Sequence, residues 1–201
     1  MTTKYLTVCM LAVTFALLSC QDSSSDTTAG EDMSTEEVTE EVASATSFKP
    51  VVLNDSIASP LKQVSGTIDG VGVTITYGSP AMKGRAIWGE LVPFDEVWRT
   101  GANEATTIEF DAPVMIEDQP LEAGKYGFFT IPGEEDWTII FNGVSDQWGA
   151  YQYDDTQDVL RAKVLKGTLA DSSEYMDFFV DGNNISLTWG DVIVPFSVAK
   201  G

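Results

Sequence analysis

Histidine is absent from this chain of 201 residues. That removes the general base of the Ser-His-Asp arrangement and the commonest metal ligand. Cysteine is nearly absent, with only Cys9 and Cys20. Basic charge is scarce: 11 Lys and Arg stand against 31 Asp and Glu, a formal net charge of −20. A surface of that sign repels phosphate backbones and anionic headgroups, so nucleic acid is excluded as a partner. With neither His nor a free thiol, zinc would have to be held by carboxylates alone, a poor match to its chemistry. The acidic stretches Tyr153 to Asp158, Glu134 to Asp136 and Asp181 to Asn184 carry oxygen ligands. None has the spacing of a calcium loop, so neither a metal nor a cofactor is expected. Sustained 3.6-residue periodicity is also missing beyond the N-terminal region, which argues against a helical core.

What is present begins with a leader. Lys4 is followed by the apolar run Tyr5 to Leu18, then Ser19 and Cys20. The run is short for a membrane span and is followed at once by polar sequence, as in a signal peptide over 1–19. "LLSC" resembles the lipobox of bacterial lipoproteins, in which the Cys is acylated and becomes the new N-terminus. Lipidation at Cys20 is therefore expected, against an ordinary secretory signal or a buried Cys in a true helix. Cleavage discards Cys9, and acylation consumes Cys20, leaving no disulfide and no thiol nucleophile. Removing residues 1–19 takes away Lys4 and no acid, so the charge moves from −20 to −21. Gln21 after the Cys resembles outer-membrane sorting. The expected location is the cell envelope, as an outer-membrane lipoprotein facing the periplasm or the surface, with the membrane contacted through the lipid only.

Residues 20–60 read as the lipidated Cys and an acidic tether. The segment is rich in Ser, Thr, Asp and Glu, and its apolar positions Met33, Val38 and Val42 are too sparse for a packed face. Residues 61–201 read as one domain. Short alternating runs follow one another: Val71 to Tyr77, Thr106 to Phe110, Pro113 to Glu117, Val159 to Leu165, Tyr175 to Val180, Ile185 to Trp189 and Val192 to Val198. Lys125 to Ile131 and Trp137 to Phe141 are apolar on both faces, as central strands are. "DGNN" at Asp181 and "WGD" at Trp189 read as hairpins, and Pro195 belongs at an edge or bulge. The expectation is an all-β fold, a single β-sandwich, jelly-roll-like or Greek-key, of about eight to ten short antiparallel strands. Its core should contain Ile75, Ile108, Phe110, Phe128, Ile139, Phe141, Leu160, Leu187 and Phe196.

Three long stretches carry a resemblance: "YGSPAMKGRAIWGELVPFDEVWRTGANEATTIEF", "LEAGKYGFFTIPGEEDWTIIFN" and "DQWGAYQYDDTQDVLRAKV". In this order they resemble the bacterial envelope family known as domain of unknown function 2911. The resemblance covers roughly Val64 to Val198, with Phe94 where the pattern often has Tyr and Glu122 where it often has Pro. It implies a β-rich globular domain, often behind a lipoprotein signal, and no assigned chemistry.

The richest polar stretch is "WRTGANEAT", Trp98 to Thr106. Trp98 can stack, Arg99 can pair with an anion, and Asn103 and Glu104 can hydrogen-bond. Lys83 and Arg85 add two cations upstream, and Trp148 and Tyr151 two aromatics downstream. These eight residues are the candidate ligand site. The competing reading is architectural: Arg99 pairs with Glu104 or Asp95 to hold the loop, and Gly101 supplies a positive φ before the strand. No residue is assigned as catalytic. A carboxylate-based hydrolase acting on glycans in an aromatic-lined cleft is the alternative, since Glu90, Asp95, Glu96, Glu104 and Glu109 lie close in sequence. The favoured expectation is a lipid-anchored binding or interaction module whose partner is a glycan, a small polar ligand or an envelope protein. Its oligomeric state is left open. Metabolic palmitate labelling tests the anchor: wild type should incorporate label and Cys20→Ala should not, and equal incorporation would overturn it.

Overall fold

A computed structural model describes residues 48–201. The signal peptide, Cys20 and the tether up to residue 47 lie outside the described residues. Eleven strands follow in chain order: β1 (Val51–Asn54), β2 (Leu61–Ile68), β3 (Val71–Gly78), β4 (Thr106–Phe110), β5 (Val114–Ile116), β6 (Gln119–Leu121), β7 (Gly124–Ile131), β8 (Asp136–Asn142), β9 (Asp158–Leu165), β10 (Gly167–Asp181) and β11 (Asn184–Lys200). One 3-10 turn, Asp155–Gln157, precedes β9. A seven-stranded sheet has the order β1-β2-β3-β4-β7-β8-β9, and a four-stranded sheet the order β10-β11-β5-β6. All pairings are antiparallel. The all-β sandwich is as expected. Its path is a meander interrupted once, where the β5–β6 hairpin leaves the large sheet for the small one.

Period-2 alternation explains the layers. In β3, Val71, Val73, Ile75 and Tyr77 are buried and the residues between them are half-buried. In β9, Leu160, Ala162 and Val164 point inward while Arg161 and Lys163 stay exposed. All nine core residues named from the sequence are buried. Between the sheets, Phe128 of β7 stacks on Phe196 of β11 at 5.6 Å and meets Phe178 of β10 edge-on at 6.0 Å. Such aromatic pairs contribute about 0.5–1.5 kcal/mol beyond the area they bury.

Three local expectations are corrected. The tether does not extend to residue 60: Val51–Asn54 forms an edge strand on β2, and the Phe48 backbone bonds Val180 across its N–H at 3.1 Å. The strand reads Val-Val-Leu-Asn and is wholly exposed, so its apolar residues signal strand propensity without the alternation that burial of one face imposes. "WGD" is not a hairpin, because β11 runs through it. Gly190 takes φ 62° and faces Ser173 where the β10 register shifts, so the glycine makes a bulge rather than a reversal. The two last strands are also long rather than short. By contrast, "DGNN" does turn the chain between Asp181 and Asn184, with Gly182 at φ 57°. Pro195 is exposed and falls between Ile193, the last residue paired to β10, and Val198, the first paired to β5. No ladder bond is asked of it there.

A polar strap crosses from sheet to sheet. The Tyr77 hydroxyl donates to Asp177 Oδ1 at 2.9 Å and accepts from the Phe178 N–H at 3.2 Å. Lys62 Nζ adds a charge-assisted bond to the same Oδ1 at 2.6 Å. Burial first, and then the Asp177 charge, push the Tyr77 phenol well above its ordinary pKa. Below about pH 10 the phenol is neutral in both folded and unfolded chains. Above that, the unfolded chain ionises first, so the stability tied to this raised pKa is lost as pH rises. Tyr77→Phe leaves the Phe178 N–H and Asp177 short of a partner and should cost about 1–3 kcal/mol by denaturant unfolding. It should also flatten the loss of stability above about pH 10. An unchanged midpoint and an unchanged alkaline limb would show that the strap contributes nothing.

Candidate functional site

The connection from β3 to β4, residues 79–105, carries most of the candidate residues and contains no long strand. Its shape is dictated by several close contacts. Val92 N–H bonds the Ile87 carbonyl at 2.8 Å, closing a small loop around Trp88. Trp98 then pairs with Thr130 of β7 through two backbone bonds of 2.8 and 2.9 Å. Beyond it the chain turns back sharply. Thr100 and Asn103 adopt left-handed φ of 54° and 66°. For a buried β-branched Thr this is a strained state, and the surroundings hold it there. The Thr100 hydroxyl bonds Thr130 Oγ1 at 3.1 Å, and its carbonyl accepts from the Thr106 hydroxyl at 2.7 Å. Gly101 is not the positive-φ residue the sequence suggested. It is small because a Cβ there would stand 3.0 Å from both the Gly78 carbonyl and Thr106 Oγ1.

Four of the five tryptophans converge below this turn. Trp88 and Trp98 come from the connection, Trp137 from β8 and Trp189 from β11. Trp88 packs edge-on against the other three with ring centroids 4.9–5.9 Å away. Trp98 lies nearly parallel to Trp189 at 6.0 Å. A cavity of about 220 Å³ opens beside them, lined by Ser59, Pro80, Arg85, Leu91, Val92, Trp98, Arg99, Gly101, Ala102 and Trp189. Two arginines line it and no carboxylate does.

Arg99 is the unusual member. Its side chain makes no hydrogen bond or ion pair among the described residues, and Arg99 Nε is buried without any partner. Burial lowers its pKa from the ordinary arginine value, and the Tyr151 phenol nearby acts weakly the other way. The pairing with Glu104 or Asp95 expected from the sequence is therefore not formed. Glu104 points to other company: its backbone bridges Trp148, and it is exposed. Asp95 is exposed, with its N–H on the Pro132 carbonyl at 2.9 Å. Arg85 is held differently. Its Nε donates to the Met82 carbonyl at 2.9 Å and its Nη2 to the Ala81 carbonyl at 2.6 Å. Two anchors on one side fix the plane of that guanidinium and leave Nη1 uncommitted.

Of the eight candidate residues, Arg85, Trp98 and Arg99 line this cavity together. Asn103 and Tyr151 border Arg99: the Asn103 carbonyl accepts the Gly149 N–H at 3.1 Å, which sets the Trp148 to Tyr151 loop against the Arg99 stem. Lys83, Glu104 and Trp148 are exposed and outside it. Lys83 uses its N–H to bond Glu174 at 2.9 Å. Trp148, expected beside Trp98, is 59 % exposed, and the indole that does stack on Trp98 is Trp189. Trp189 was open to detection in the inward alternation of Ile185, Leu187 and Trp189. Leu91 and Ser59 carried no such signal. A second, more open hollow of about 460 Å³ lies across the β4 surface, where Glu104, Lys125 and Asp146 stand among its walls. Among the described residues no group of three or more acidic side chains converges as a metal site would.

The Trp148 to Tyr151 loop rests on its own network. Asp158 accepts from the Tyr153 hydroxyl at 2.6 Å, from Arg161 Nε at 2.7 Å and from Asn142 Nδ2 at 2.8 Å. That loop and the 98–105 turn meet through the Ala105 N–H on the Gln147 carbonyl at 2.9 Å.

A family model described as protein of unknown function, DUF2911, matches residues 59–198. The chain belongs to the DUF2911 family. The match runs from Ser59, at the edge of the cavity, to Val198 in the last strand, so the DUF2911 domain includes every residue lining the cavity. No curated protein and no solved structure matches the chain. No helix of the described residues is long and apolar enough to cross a membrane.

Gly78 of the DUF2911 domain tests the turn. A Cβ at Gly78 would overlap the Ala102 carbonyl, a backbone atom with little room to yield. Gly78→Ala should therefore cost about 1–3 kcal/mol through overpacking. A denaturant midpoint equal to wild type would show that the turn is pliant.

Proposed function

We propose that this DUF2911 protein is a binding module of the bacterial envelope, held to the membrane through acylated Cys20, that takes a small polar ligand in the cavity beside Trp98 and Arg99. One observation carries the reading: the half-buried Arg99 guanidinium in the cavity wall has no hydrogen bond or ion pair to any described residue, and its Nε is buried. A buried donor left unmade costs about 1–3 kcal/mol, and more on a charged group. Proteins satisfy the great majority of such groups internally, and those left open mark places where something else completes them. The rigid walls support the same reading. The tryptophan cluster and the anchored Arg85 present a preformed surface, which limits the ordering that binding must impose.

The architectural alternative makes a different demand. A buried, paired arginine costs about 3–5 kcal/mol when truncated, because its partner is stranded. Among the described residues Arg99 has no partner to strand. Arg99→Ala should accordingly change the denaturant stability by less than about 1 kcal/mol. A thermal-shift panel of small acids, amino acids, sugars and oligosaccharides should contain a ligand that stabilises wild type and fails to stabilise Arg99→Ala. A loss above about 3 kcal/mol in Arg99→Ala would return the residue to an architectural role. Release of new reducing ends from the oligosaccharides would favour the carboxylate-based hydrolase instead.

A further inference from the structure

We infer that the cavity is a carboxylate receptor, in which Arg99 and Arg85 take the carboxylate of a small organic acid whose short apolar body lies against Leu91, Val92 and Trp98. The inference rests on the binding-module reading and names the ligand class.

The first ground is charge. Acidic residues outnumber basic ones 31 to 11, yet the cavity wall holds two arginines and no Asp or Glu. The ion pairs among the described residues use Lys62, Arg161 and Lys163, and neither cavity arginine is in one. Neither guanidinium charge has a carboxylate partner among the described residues, which fits a ligand of opposite sign. Guanidinium donors form a planar fork that matches the two oxygens of a carboxylate.

The second ground is the number of charges the ligand can carry. Fields from the surrounding acidic surface are screened over about 8 Å at physiological salt, but they still oppose an incoming anion. A dianion meets that opposition twice over, so a monoanion is favoured over a phosphate near −2. The apolar walls agree, because Pro80, Leu91, Val92 and the two indoles reward carbon and offer phosphate oxygens nothing.

The third ground is size. A cavity of about 220 Å³ equals roughly seven waters at about 30 Å³ each. That accommodates an acid of a few carbons, while a larger ligand would have to extend out through the open side of the cavity.

The test uses the full chain in detergent, with tryptophan emission and calorimetry as readouts. The probes are butanoate, acetate, butan-1-ol and inorganic phosphate. Butanoate should saturate in the millimolar range or tighter, corresponding to at least about 4 kcal/mol. Acetate, lacking the apolar body, should bind several-fold more weakly. Butan-1-ol and phosphate should not saturate. Arg99→Lys should weaken butanoate at least tenfold and Arg85→Gln several-fold, with thermal melts showing each variant folded. Butanoate affinity should also fall as pH drops through about 4 to 5, where the ligand carboxylate protonates. If phosphate or butan-1-ol saturates instead, and Arg99→Lys abolishes it, the carboxylate assignment falls and the binding module stands. If no probe saturates, the carboxylate assignment falls, and if Arg99→Ala also unfolds the chain, the binding-module reading falls with it.

Discussion

The packing of four indoles around Trp88 is the contact on which the candidate site depends. Trp137 belongs to the seven-stranded sheet and Trp189 to the four-stranded one, while Trp88 and Trp98 arrive from the connection between β3 and β4. One cluster therefore joins both layers and pins an irregular segment onto them. Without that floor the connection has few means of burial, and loops with little buried apolar area open easily. With it, Arg85 and Arg99 come to one wall although they stand apart in sequence.

Polar satisfaction makes the site distinctive. Many polar groups of the interior find partners. Thr100, Thr106 and Thr130 bond to one another or to nearby carbonyls, Ser79 donates to the Met176 carbonyl at 2.7 Å, and Asn142 binds both Asp158 and the Asp154 carbonyl. Tyr77 ties the sheets with all of its bonding capacity used inward. Around the cavity others do not: Arg99 Nε and the indole N–H groups of Trp88, Trp137 and Trp189 are buried without a partner among the described residues, and Arg99 is the charged member of that group. The same surroundings that strain Thr100 into a left-handed φ also hold the Arg99 backbone rigidly, since its carbonyl accepts the Thr106 N–H at 3.2 Å. Strain beside an unsatisfied charge is an arrangement associated with function. It underlies the choice of a ligand site over a purely architectural turn.

Much of the sandwich was legible in the sequence because strand alternation is a local property. Ile108 and Phe110 had to share a face whatever they packed against, and Gly127 between apolar neighbours fitted a strand flanked on both sides. The legible part of the site was its inventory. Arg85, Trp98 and Arg99 stood out as scarce cations and an aromatic in an acidic chain. What was not legible was who meets whom. Trp148 and Trp189 are both followed by glycine, so local chemistry does not separate them, yet one is exposed and the other is in the core. The Val51–Asn54 strand showed no alternation because it is exposed on both faces, although Val51, Val52 and Leu53 favour extended backbone.

The sequence by itself determined the all-β class, the inward set of residues, the membership of the family and the excess of negative charge, since each follows from composition or short-range order. Only the tertiary structure decided that Arg99 pairs with neither Glu104 nor Asp95, that Arg85 lines the same cavity, and that Trp189 rather than Trp148 backs Trp98. Those outcomes depend on contacts between segments far apart in the chain, such as Trp98 with Trp189. Their energies are set by burial and geometry at the meeting point, and neither is encoded in any one stretch of the chain.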